Sequence, residues 1–262
     1  MATSQGSLRQ ARRLVFGVAM FLQGCAGLIP GREGATGPAE ISRGEGSFEV
    51  RRGRPGIVIG APHGTSDKGT DIIARDLAGL TGFSLVVATG FSHLGSDGRR
   101  LNVNRPTESV PGTPARLEGE SEDARRVYEA YRRHVAEAAQ GPLRLYVEVH
   151  GNAHQESAGR LEIATVGLSR EDAWRLKTLF ELIRESRLDD PAVPRLEVWV
   201  ESLDPVRYTA SAAKQAGMLA AAPRALHIEL PRAARTTYRE IYTELLGAFL
   251  SESATFLVPR ER

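Results

Sequence analysis

The chain has 262 residues, 41% of them hydrophobic and 25% charged, with 27 Gly and 14 Pro, an ordinary globular composition that excludes disordered, fibrous and repeat architectures. A chain of this length can bury a core without crosslinks, and its single Cys excludes both a disulfide framework and a cysteine-rich zinc site. The formal net charge is +2, and its location decides what it means.

The first segment reads as an export leader. Arg9, Arg12 and Arg13 form a positive region without acids, and Leu14 to Leu22 is a run of nine apolar residues. Nine residues cannot span a bilayer, which needs about 20. The following Leu22-Gln23-Gly24-Cys25 resembles the lipobox of bacterial lipoproteins, and the only Cys of the chain sits in it. The expectation is a leader over 1–24, a lipidated Cys25 with a flexible tether over 25–54, and one domain over 55–262, held through its lipid on a bacterial membrane. Ala26 after the Cys favours the outer membrane, facing the periplasm. Cleavage would remove three Arg, leaving 31 basic residues against 32 acidic ones and a net charge of −1, so a nucleic-acid partner is not expected. The tether is rich in Gly, Pro, Ser and charge, and a coil of that length spans roughly 25 to 30 Å.

From residue 57 short apolar runs alternate with helical periodicity, which predicts an α/β fold with a mostly parallel mixed sheet flanked by helices on both faces. Candidate strands are Ile57 to Gly60, Ser84 to Ala88, Leu143 to Val149, Leu161 to Ala164, Leu196 to Val200 and Ala225 to Leu230. Helical spacing joins Ala124, Val127, Tyr128, Tyr131, Val135 and Ala138, then Ala173 to Ile183 after a cap at Ser169, then Tyr238 to Phe249. The apolar stripes are core.

Polar residues gather where strands end, the place at which open α/β sheets bind ligands. One strand delivers His63 onto a Gly-rich loop carrying Asp67 and Asp71. Another delivers His150, with Glu148 two residues earlier on the same face, and a third carries His227 and Glu229. Two His with carboxylates suit a zinc ion, water taking the open fourth position and a separate carboxylate acting as base. His93 and His154 lack such a strand-end context. There is no Gly-x-Ser-x-Gly elbow and no phosphate-cradling Gly-rich motif.

Ala61-Pro62-His63-Gly64, Gly69-Thr70-Asp71, Leu101-Asn102-Val103-Asn104-Arg105-Pro106, Glu148-Val149-His150-Gly151 and Ile228-Glu229-Leu230 together resemble the N-formylglutamate amidohydrolases, relatives of zinc carboxypeptidases and aspartoacylase-like deacylases. The resemblance covers most of 56–250. It implies a phosphorylase/hydrolase-like, zinc-peptidase-like fold and a metal-dependent hydrolase of C–N amide bonds. By it, His63, Asp71 and His150 would hold one zinc ion, Asn104 and Arg105 would meet a substrate carboxylate, and Glu229 would be the general base. Asp67, four residues after His63, is an equal candidate for the acidic ligand on spacing alone. Two departures stand out: Asn102 replaces a frequent Asp, and Glu148 replaces an Asp before the second His. The expected substrate is a small carboxylate-bearing amide or peptide.

The same residues also resemble peptidoglycan N-acetylmuramoyl-alanine amidases, whose pattern has no place for Asn104-Arg105. A third reading, from another class, is a non-catalytic envelope lipoprotein that binds without cleaving.

Overall fold

In a computed structural model the described residues are 46–91, 100–109 and 117–258. The leader, Cys25 and His93 lie outside them. Strand β1 (Ser47–Arg51) precedes β2 (Arg54–Ala61), helix α1 (Thr70–Thr81) and β3 (Phe83–Thr89). Three short strands follow, β4 (Leu101–Asn102), β5 (Thr107–Ser109) and β6 (Glu118–Glu120), and then α2 (Glu122–Ala139), β7 (Leu145–Gly151), β8 (Arg160–Val166) and α3 (Arg170–Arg187). The chain closes with β9 (Glu197–Val200), α4 (Ser211–Ala216), β10 (Ala225–Leu230), α5 (Arg232–Arg235) and α6 (Arg239–Leu257). No helix among the described residues is long and apolar enough to cross a membrane.

Seven strands form one mixed sheet in the order β1-β3-β2-β7-β10-β8-β9, and β4-β5-β6 form a separate small sheet. In the large sheet β3, β2, β7 and β10 run parallel in succession, while β8 pairs antiparallel with β10 and parallel with β9. The carboxyl ends of β2, β7 and β10 therefore share one edge with the amino ends of β8 and β9.

Alternation along the strands divides the apolar residues between two cores. Ile57, Ile59, Val147, Val149, Leu226 and Ile228 join residues of α1, α3 and α6 in one. Val58, Val86, Tyr146 and Ala225 join Val127, Tyr131 and Val135 of α2 in the other. Glu148, His150, His227 and Glu229 belong to this second set of strand positions, so the polar column occupies the sheet face that packs on α2 farther down. Gly60 makes room there. A Cβ on it would collide with the hydroxyls of Tyr131 and Tyr146, which bond each other at 2.9 Å beneath the site.

The domain begins earlier than the sequence suggests. Residues 47–51, expected within the tether, form an edge strand antiparallel to β3. Phe48 is buried and stacks on Phe91 with centroids 4.8 Å apart, and that burial holds the segment. Helix α1 was also unexpected. Its buried stripe of Ile73, Ala74, Leu77 and Ala78 follows a left-handed Gly69 that provides no capping side chain. Helix α3 starts with a capping box of Ser169 and Asp172, each side chain satisfying an amide of the other.

Candidate metal centre

His63 leaves the end of β2 and is 7% exposed, and His150 ends the column of β7 at 3%. Their rings meet edge-on with centroids 5.0 Å apart. Between them stands Asp67, its Oδ2 3.7 Å from His63 Nδ1 and 3.4 Å from His150 Nδ1. These three residues present ligand atoms close enough to hold one metal ion. Donors bound to zinc at about 2.0–2.1 Å in a tetrahedron lie about 3.3–3.4 Å apart, so the separations observed fit such an ion.

The structure brings Asp67, not Asp71, to the two imidazoles. Asp71 falls in the first turn of α1, where its carboxylate pairs with Arg75 at 2.7 Å. The physical reason is the helix start at Thr70. Once Asp71 is helical it has an (i, i+4) partner on its own face, while Asp67 remains on the loop that passes His63. Asp67 also accepts the backbone N–H of Gly151 at 3.3 Å, tying that loop to β7.

Charge in the cluster favours a cation. Burial lowers the His63 imidazole to about 4, with the neighbouring His150 adding to the effect, so it is a neutral donor near pH 7. Burial would raise the Asp67 carboxyl, but His150 and His63 hold it well below the ordinary carboxylate range. His150 is pushed up to about 10 because Asp67 and Glu148 outweigh its burial. One buried and one partly buried carboxylate thus stabilise positive charge at this ring, and a metal ion would supply that charge in place of a proton.

Glu148 is fully buried and supports the site from below. Its Oε2 accepts from Asn104 Nδ2 at 3.1 Å, and stands 3.1 Å from His150 Nε2 and 3.3 Å from His227 Nδ1. A carboxylate on Nε2 leaves Nδ1 free to face an ion, the usual arrangement behind a metal-binding His. Glu148, His150 and His227 form a second group close enough to hold a metal. It uses the opposite nitrogen of His150. His227 also reaches Glu229, its Nε2 lying 3.2 Å from Oε1. Among the described residues the other oxygen of Glu229 is buried without a partner, as is His63 Nε2.

Asn104 and Arg105 lie in the turn between β4 and β5, the first buried and the second partly exposed. Asn104 is 1% exposed, and Arg105 Nη1 donates to its Oδ1 at 3.0 Å. The guanidinium fork of Arg105 is filled by Glu118 of β6, with Nε donating to Oε2 at 2.8 Å and Nη2 donating to Oε1. The carboxylate partner expected from a substrate is supplied by the chain itself. A pairing across 13 residues leaves no local pattern in the sequence. His154, on an exposed turn, shares a 3.3 Å contact with Arg207.

Glu162 of β8 stands opposite Glu229 in register and is fully buried. Ser157 Oγ and Arg160 Nε donate to its Oε1, and the backbone N–H groups of Arg207 and Tyr208 donate to its Oε2 at 2.7 and 3.1 Å. It fastens the loop after β9 beside the site, where burial and the nearby Glu229 carboxylate raise the Tyr208 hydroxyl above its ordinary range.

No family model and no curated protein matches the chain. Solved structures of similar outline include a bacteriophage poly-gamma-glutamate hydrolase, at 15% identity and TM-score 0.47 over 83% of this chain and 91% of that one. A metallo-carboxypeptidase from Burkholderia cenocepacia matches at 11% and 0.45 over 81% and 61%. The CwlD amidase from Clostridioides difficile, in complex with the GerS lipoprotein, matches at 14% and 0.38 over 77% and 97%. At these scores the likeness stays one of outline, and the chemistry rests on the side chains.

Proposed function

We propose that the chain is a zinc-dependent amidohydrolase, resembling the N-formylglutamate amidohydrolases, that cleaves an amide bond in the bacterial cell envelope. One observation carries the reading. His63, Asp67 and His150 present ligand atoms close enough to share one ion, and Glu229 nearby keeps one buried oxygen without a partner among the described residues.

Two imidazoles and one carboxylate are the donor set of catalytic zinc sites. An ion bound there would polarise the scissile carbonyl and bring the pKa of an attacking water to about 7. Glu229 does the proton work. His227 holds its Oε1, which leaves Oε2 to take the proton from water and deliver it to the departing nitrogen. Glu148 keeps His150 oriented through Nε2, and Asn104 holds Glu148 in turn.

The filled fork of Arg105 favours a second reading, in which a free substrate carboxylate is not required and the substrate is a peptide amide such as those of the cell wall. Lipidation of Cys25, anchoring on the outer membrane and a periplasmic location complete the proposal. The test is direct. Zinc-loaded protein should hydrolyse N-acyl amino acids or muropeptides, and Glu229→Gln should keep stoichiometric zinc while losing about 2 to 4 orders of magnitude in turnover. A purified protein that takes up no zinc would leave only the binding-module reading.

A further inference from the structure

Asn152 lies one rung beyond His150 on the same ladder. The N–H of Tyr146 bonds the carbonyl of Arg224 at 3.1 Å, and that of Asn152 bonds the carbonyl of Leu230 at 3.0 Å, so the parallel register of β7 and β10 continues through residue 152. Residues 146, 148, 150 and 152 consequently share one face. The Asn152 side chain stands in the column of Glu148 and His150, about 6.6 Å beyond His150 along the strand.

Asn152 is 5% exposed, yet among the described residues neither Oδ1 nor Nδ2 has a hydrogen-bond partner. A buried amide left unsatisfied at both ends is costly and calls for a reason. Its backbone, by contrast, is clamped at both ends: the N–H by Leu230 and the carbonyl by Arg235 Nη2 at 2.8 Å. Arg235 lies flat on Gly151, where any Cβ would strike its guanidinium, and it further bonds the carbonyls of Leu230 and Lys68. The main chain that carries the amide is thus fixed before any ligand arrives.

From this geometry we infer that Asn152 binds the main chain of a substrate residue removed from the scissile bond, so that the substrate is peptide-like rather than an N-acyl amino acid with a single amide. The inference rests on the hydrolase reading for the position of the scissile bond. A carboxylate offers acceptors only and would satisfy Nδ2 but not Oδ1. An extended peptide residue turns its N–H and its C=O to the same side, and these match Oδ1 and Nδ2 together. The distance beyond His150 corresponds to about two residues of an extended chain.

The experiment uses the zinc-loaded full chain carrying Glu229→Gln, with N-acetyl-L-alanine and N-acetyl-tetra-L-alanine as probes. Titration calorimetry should give the tetra-alanine probe roughly 5- to 150-fold tighter binding, and adding Asn152→Ala should bring the two probes within about twofold. Should that variant fail to fold, the tetra-alanine probe with its internal N–H groups methylated replaces it, and must lose the same gain on the parent protein. Equal binding of both probes, binding of neither, or a preference that survives Asn152→Ala or methylation overturns the inference. Turnover with Glu229 intact separates the two claims. Preference without hydrolysis of either probe sinks the hydrolase reading and leaves Asn152 standing, whereas hydrolysis of both without preference does the reverse.

Discussion

His227 Nε2 lies 3.2 Å from Oε1 of Glu229, and the other nitrogen of the same ring lies 3.3 Å from Glu148. Glu229, the proposed base, and Glu148 beside His150 are therefore joined through one imidazole, which packs on the His150 ring at a centroid distance of 4.2 Å. Losing this link should free the Glu229 side chain to turn. His227→Ala is expected to lower kcat by about 10- to 100-fold, with KM and zinc content little changed, and His227→Gln should recover part of the loss. Steady-state kinetics with elemental analysis checks it, and a fall confined to KM would count against the role.

The choice between the two aspartates can be read from metal content alone. Asp67→Asn should cost at least tenfold in zinc affinity, because it removes a charged donor between two imidazoles, while Asp71→Asn should keep the metal and lose only its partly buried pairing with Arg75. Competition with a chromophoric chelator measures both, and the opposite ranking would restore Asp71 as the ligand.

Arg105 and Glu118 should influence stability more than substrate choice. Burial would raise the Glu118 carboxyl, but Arg105 holds it below its ordinary value of 4.5. A carboxyl lowered in the folded state adds stability that is present above that value and is lost as pH falls through the folded one. Arg105→Gln should therefore lower Tm at pH 7 by a few degrees, as expected for a solvent-screened pair contributing about 1 kcal/mol. The gap to wild type should close as pH falls below 4.5. Melting curves across that range decide it, and an unchanged Tm with lost activity would return Arg105 to the substrate.

Cys25→Ser should move the protein from the membrane to the soluble fraction and abolish a lipid-modified N-terminus in mass spectrometry. Wild-type protein that is already soluble and free of lipid would refute the anchoring.

Six of the seven strands of the large sheet were legible from short apolar runs or alternation, as in Ile57 to Ile59 of β2 and Leu85 to Ala88 of β3, where burial on both faces of a parallel strand leaves a continuous run. Strand β1 carried a signal as well, since Phe48 and Val50 alternate with Ser47, Glu49 and Arg51, but Gly and charge on either side masked it. The strands of the small sheet, two or three residues long, are too short for any period to register. At the site, alternation along β7 and β10 puts Glu148 with His150 and His227 with Glu229, which sequence alone can give. Spacing could not separate Asp67 from Asp71, because the answer depends on where α1 begins. Nor could it reveal that Glu118 would reach Arg105, a tertiary contact with no periodicity behind it. Asn152 was within reach, standing two residues past His150, but its unpartnered amide is visible only once its surroundings are known.

The grip of Glu162 on the loop after β9 has an evolutionary consequence. It takes hold of Arg207 and Tyr208 through their main-chain N–H groups, which every residue except proline possesses. Side chains at 207 and 208 can accordingly drift or be randomised while the loop stays docked beside Glu229, and no residue of the His63, Asp67 and His150 cluster is disturbed. In the proposed enzyme a library confined to those two positions would leave the metal cluster intact while changing the wall beside Glu229.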